Sequence, residues 1–321
     1  MNRPNPMEVL VLLMNRAQTL EILGRTEAKA KRGAELRPWA MEVKRHLVDI
    51  DSSLARDDAD FMTDYAGDMV SGTAVFPIMN AIDSITAIAE LIAGRPQSGD
   101  SHAPSLLTLS RMATESSART IWLLSDAGRQ MRRGLSVRFT QSELNAQKTF
   151  HQHTRKWFEH GPGKDQPIEH QHFLQHLQLF EKREAMLKKG LEGTPKAKVV
   201  GNNDLVVAAA KWLDKHPPEH DQSGPFGRTG FGFEDVAASF YTTSSAIVHG
   251  LKWPLDYMPS GEVDLSRMIA DGVNVAVSMA ECAVALLESQ AQRQGAATDR
   301  PRLYPDSLQP SIDVWSEHYL A

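Results

Sequence analysis

Between Ser105 and Asp126, apolar and small residues cover almost the whole circumference of a helix. Projected at ~100° per residue, Leu106, Leu109, Ala113, Ser117, Ile121 and Leu124 share one side, while Leu107, Met112, Ala118, Trp122 and Leu123 spread over much of the rest. One line interrupts this pattern: Arg111, Glu115 and Arg119, at i, i+4 and i+8. A helix without a wide polar face is internal, and internal charges must be paired or used.

The same periodicity predicts helices over 8–31, 38–54, 72–93, 129–159, 168–190, 205–215, 233–250 and 265–294. The acidic stretch 56–68 reads as a loop or a short helix. Pro77 stands near the start of its helix, where proline is tolerated. Glycine, proline and serine break the pattern at 94–104, 160–167 and 216–232. The last of these is long for a connection, and Phe226, Phe231 and Phe233 predict an ordered loop pinned to the body. No segment alternates with period two between turn signals, so no strand is expected.

These elements predict an all-α fold. N-terminal helices occupy 1–70, a helical bundle 71–294 and an irregular tail 295–321. Within the bundle, 160–232 is read as an inserted hairpin and long loop, and Trp315 and Tyr319 are expected to anchor the tail.

Hydrophobic residues make up 41% of the chain and charged residues 23%, which fits an ordinary globular protein. The net charge of −5 argues against a general nucleic-acid binder, but leaves room for a local basic patch. Cys282 is the single cysteine, so a reducing, cytoplasmic setting is expected. The apolar run 273–287 is interrupted by Asn274, Ser278 and Glu281, and no membrane span is expected.

Several constellations could carry chemistry. The Arg111–Glu115–Arg119 line is either a set of ordinary intrahelical pairs or a site. Arg132 and Arg133 lie close behind it and would make the region locally electropositive. Asp271, Asn274, Ser278 and Glu281 form an acidic and polar line on the last long helix. Glu281 or Asp271 is expected to neutralise Arg119 or Arg111 across the bundle. Tyr241, Ser245 and His249 share one face of their helix. His249, followed by Gly250, reads either as a C-terminal cap or as a general acid/base oriented by the two hydroxyls.

Half of the twelve histidines fall between His151 and His176. His172 and His176 with Glu169 could ligate a divalent metal, although a solvated charged face explains the same pattern. The reading therefore includes no metal and no cofactor. Arg155 and His160 have the spacing of a short Arg-to-His motif on a charged helix end.

Arg111-x3-Glu115, Trp122-Leu123-Leu124, Arg132-Arg133 and Tyr241-x3-Ser245-x3-His249-Gly250 together resemble uncharacterised bacterial all-helical proteins related to the HEPN superfamily. The resemblance spans roughly 72–290. It implies a HEPN-like bundle, a homodimer, and RNA or a nucleotide as ligand. Many members are metal-independent ribonucleases of defence systems, with an Arg, a polar residue and a His near the final helix pair.

The resemblance makes His249 the candidate histidine, but Thr243, Ser244 and Ser245 stand where the Arg and its neighbour belong. Two readings follow. One is a catalytically silent bundle binding a nucleotide, small molecule or protein partner in a bacterial defence or stress module. The other is a ribonuclease-like enzyme with His249 as acid/base, Arg111 and Arg119 on phosphate and Glu115 orienting them, with Tyr241, Ser245, Arg132 and Arg133 as binding residues.

Overall fold

The computed structural model describes residues 5–98, 102–195, 200–221, 232–293 and 300–319. It is all-helical, with no strand among the described residues. The α-helices are α1 (Pro6–Ala34), α2 (Arg37–Glu42), α3 (Ser53–Asp58), α4 (Ser71–Ser98), α5 (Ala103–Leu124) and α6 (Arg129–His160). They continue with α7 (Pro167–Leu191), α8 (Asn202–Lys215), α9 (Phe233–Val248), α10 (Glu262–Ala291) and α11 (Gln309–Ser316).

α10 is the central element. From Gly272 to Ala291 nearly every side chain is buried, and α1, α4, α5 and α9 pack around it. α4 and α10 are long and apolar enough to cross a membrane, yet 83% of the apolar window of α10 is buried by the protein's own helices. Burial on all sides accounts for its lack of a polar face. Small residues allow the close crossings. A Cβ on Gly33 would come within 2.7 Å of Val277 and 2.8 Å of Ile85, so α1, α4 and α10 meet at this glycine. The helix ends are tied as well: the Leu124 carbonyl closing α5 accepts from Gln290 Nε2 at 3.0 Å and from the Tyr319 hydroxyl at 3.1 Å.

The structure differs from the sequence expectations in four places. The expected helix 38–54 is divided into α2, a 3-10 turn at Val43–His46 and α3. Ser52 caps α3 through its hydroxyl, and Asp51 adopts a left-handed conformation just before it. The N-terminal helices share the main core: Ala30, Leu36, Trp39 and Leu54 belong to the same buried cluster as α4, α5 and α10. Within 160–232, α8 is also part of that core, packed on α5 and α9, whereas α7 pairs with α6 in a hairpin around a smaller cluster of Val137, Leu144, Phe180 and Leu187. Instead of an irregular tail, residues 306–319 form α11 flanked by 3-10 turns, with Ile312, Trp315 and Tyr319 buried. The helix is so short that its spacing gave little periodic signal. Phe226 and Phe231 lie outside the described residues; Phe233 is fully buried at the start of α9.

Candidate functional site

The charged line of α5 meets α9. Arg111 Nη2 donates to the Tyr241 hydroxyl at 3.1 Å, and its guanidinium lies 4.9 Å from the Tyr241 ring centroid. The hydroxyl in turn donates to Glu115 Oε2 at 3.2 Å. Glu115 Oε1 accepts from Arg119 Nη2 at 2.5 Å, and Arg119 also reaches Asn202 Oδ1 of α8 at 3.5 Å. Arg111 Nε is buried without a hydrogen-bond partner. Burial raises the Tyr241 pKa, so the ring stays a neutral phenol that can both accept from Arg111 and donate to Glu115. The sequence line is thus one polar chain, Arg111–Tyr241–Glu115–Arg119, sealed partly between α5, α8 and α9.

His249 is not part of it. It closes α9 as the C-cap, exposed to solvent, with its N–H donating to the Ser245 carbonyl at 3.1 Å. Gly250 follows at φ +69°, its N–H on Ile247 O at 2.9 Å, and Leu251 N–H returns to Ala246 O at 2.8 Å. These paired bonds make a Schellman cap, which requires the left-handed conformation that glycine adopts readily. Eight residues separate Tyr241 from His249, about 12 Å along the axis, and side chains on a helix lean toward its N-terminus. Among the described residues the His249 side chain has no hydrogen-bond or ion-pair partner, whereas Ser245 sits half-buried one turn before it.

Arg132 is buried and bound on every N–H. Nε and Nη2 reach Asp57 at 2.5 and 2.9 Å, Nη2 also reaches Ser53, and Nη1 serves the carbonyls of Asp126 and Ala127. A guanidinium has five donors, so none is left for a ligand phosphate. Arg133 binds the carbonyls of Asp57 and Ala59 at 2.7 and 2.6 Å and lies 4.7 Å from the Phe61 ring centroid. Together these arginines fasten α3 to the start of α6.

Glu281 faces other partners than expected. It accepts from Arg32 Nε and Nη2, both at 2.6 Å, and lies 3.7 Å from Lys29 Nζ. The physical cause is that α1 packs against α10, and the charged second half of α1 places Lys29 and Arg32 over the acid. Asp271 lies on the exposed side of α10.

Asp221 completes this cluster, 2.9 Å from Lys29 and 3.2 Å from Arg32. Burial opposes its ionisation, but the two cations prevail and lower its pKa. Beside it, His220 Nδ1 lies 2.7 Å from Ser311 Oγ, and its Nε2 is 3.9 Å from Glu281. The order serine, histidine, carboxylate resembles a nucleophilic relay, but the His220 side chain and Ser311 are completely buried. Burial lowers the His220 pKa to about 4, helped by Arg32 and Lys29. With no access for a substrate, the group is a fastening between the segment before α9 and α11.

In the hairpin, His151 packs edge-on against Phe180 at 4.7 Å and His170 stacks on Phe158 at 4.8 Å. His172, His176 and Glu169 are exposed. Among the described residues no group of three His, Cys, Asp or Glu is arranged to hold a metal ion.

A cleft of about 500 Å³ opens between the turn after α2, the segment leading into α4, and α6. Tyr65, Phe76 and Phe139 supply aromatic surface, and Lys44, Asp68 and Glu143 supply charge. Its size is that of a small-molecule site. Phe139 connects it to the polar chain, because the Arg119 guanidinium lies 6.0 Å from that ring. Sequence reasoning gave no sign of this cleft: its residues come from three separated segments, each of which reads as an ordinary amphipathic surface.

Comparison with protein-family models, with curated proteins and with solved structures finds no match to this chain.

Proposed function

We propose that this chain is a HEPN-like helical bundle that acts by binding a small molecule, with no catalytic role for His249. The observation that carries this reading is the separation of the candidate catalytic groups. Arg111, Glu115 and Arg119 are engaged with Tyr241 and one another, while His249 caps α9 in solvent about 12 Å farther along the helix. General acid/base catalysis on a phosphodiester needs a proton donor or acceptor and a cation around the same reacting atoms. That arrangement would require Arg111 to leave the Tyr241 hydroxyl or Arg119 to leave Glu115, in either case breaking a part-buried hydrogen bond. The cleft beside Phe139 is the natural ligand site, being concave, partly apolar and furnished with a few charges.

The test has two readouts on the full chain. RNA is incubated in EDTA with wild type and with His249→Ala, and no cleavage is expected from either. In parallel, NMR shifts are followed during a small-molecule fragment screen, with perturbations expected around Tyr65, Phe76 and Phe139. RNA cleavage by wild type that disappears in His249→Ala would overturn the reading.

A further inference from the structure

We propose that the cleft between α4 and α6 takes a small organic cation with an apolar or aromatic body, its charge held by Glu143 against Phe76. The inference rests on the preceding reading of the cleft as the ligand site and adds the class of ligand.

Three observations support it. First, the lining carries two carboxylates, Asp68 and Glu143, against one cation, Lys44. The excess is negative. Second, Glu143 has no hydrogen bond or ion pair among the described residues, and Lys148, five residues later on α6, is paired with Glu184. Partial desolvation by the neighbouring chain raises its pKa and only Arg119 opposes this, while the side chain as a whole stays open to the cleft. Burial raises the Tyr65 pKa, with Arg183 opposing and the Glu143 charge adding to it, and Tyr65 and Glu143 both line the cleft. An arriving ammonium would supply the counter-charge the protein withholds. Asp68 is committed differently: its carboxylate lies over Gly72, where an added Cβ would meet it at 2.6 Å, at the start of α4. A negative charge there suits the helix N-terminus.

Third, the cleft already shows its preference with a cation of its own. Phe76 is 60% exposed, an unusual position for a ring, and Lys44 Nζ lies over it at 5.7 Å from the centroid. Lys44 is itself exposed and has no ion pair among the described residues, so its ammonium is a displaceable occupant of the ring face. A ligand cation reaching both Phe76 and Glu143 would push it back into solvent. Lys44 is therefore a competitor of the ligand.

This role predicts opposite signs for opposite ligand charges. Benzyltrimethylammonium, 3-phenylpropionate and benzyl alcohol are titrated by calorimetry into the full chain and into Glu143→Gln, Phe76→Ala and Lys44→Met. All three positions are exposed, so the variants are expected to fold, which circular dichroism checks. The expected result is binding of the ammonium in preference to the other two probes. Affinity for it should fall roughly five- to tenfold in Glu143→Gln and in Phe76→Ala, and rise in Lys44→Met. Preferential binding of the propionate, lost in Lys44→Met, would overturn the cationic class while keeping the cleft as a ligand site. Absence of binding by all three probes would overturn this inference; the fragment screen then decides separately whether the cleft binds any ligand.

Discussion

Arg32 holds Glu281 through both carboxylate oxygens, with Nε and Nη2 each 2.6 Å away. The two ends of this pair are not equivalent. Glu281 is almost wholly enclosed, whereas about a third of the Arg32 side chain reaches solvent. Arg32→Ala should therefore destabilise the fold more than Glu281→Ala, by about 3 kcal/mol against roughly 1–2 kcal/mol, because a stranded arginine can still be hydrated. Urea unfolding of the two variants checks the order, and equal losses would show that Lys29 alone can neutralise the acid.

His220 gives a stability change with pH. Its folded pKa is about 4, below the ordinary value of 6.5, so the unfolded chain takes up the proton first. Above pH 6.5 both states are neutral and the group contributes no pH dependence. Stability then falls as pH drops from 6.5 toward 4, by up to about 3 kcal/mol, and levels off below. In His220→Gln this part of the slope should vanish. The depressed pKa of Asp221 acts in the same direction but at lower pH, since it stabilises the fold above the unfolded aspartate value. Denaturant midpoints between pH 7 and pH 4 report the His220 window, and their continuation below pH 4 reports that of Asp221.

Arg132→Lys should cost about 3 kcal/mol without altering ligand binding at the cleft. Lysine cannot reproduce the planar fork that joins Asp57, Ser53 and the two carbonyls, and Asp57 would remain buried with an incomplete partner. Unfolding and calorimetric titration on the same sample distinguish a structural arginine from a binding one.

The α9 cap predicts a contrast between neighbours. His249→Ala should change stability by less than about 0.5 kcal/mol, since the side chain is exposed and unpartnered. Gly250→Ala should cost about 1 kcal/mol, because φ is +69° there. Thermal melts of the two variants are sufficient.

Gly33→Ala tests the three-helix crossing. The added methyl would press on Val277 and Ile85 from both sides, and overpacking of this kind costs about 1–3 kcal/mol. A variant as stable as wild type would mean that α1 can shift away from α10 without loss.

Much of the architecture is present in local patterning. The apolar circumference of 105–126 and 265–294 marked the helices that lie inside, because a helix with no polar face has nowhere else to go. The Arg111–Glu115–Arg119 line and Tyr241 were visible as polar exceptions on such helices, and their side chains do join into one chain of hydrogen bonds. His249 with Gly250 carried the signature of a helix end.

What the sequence could not contain was the choice of partner. Periodicity shows which face of a helix is apolar, but not which other helix covers it. Glu281 stood out as an acid in an apolar run, yet only the packing of α1 across α10 selected Arg32 and Lys29 over Arg111 and Arg119. The cleft is a still clearer case. Lys44, Phe76 and Glu143 lie on three segments whose spacings carry no mutual signal, and their meeting depends on where α6 crosses the start of α4. Helix formation is a local property set by residues three and four apart. Charge pairing and concavity arise from long-range contacts, and the tertiary structure alone decided those.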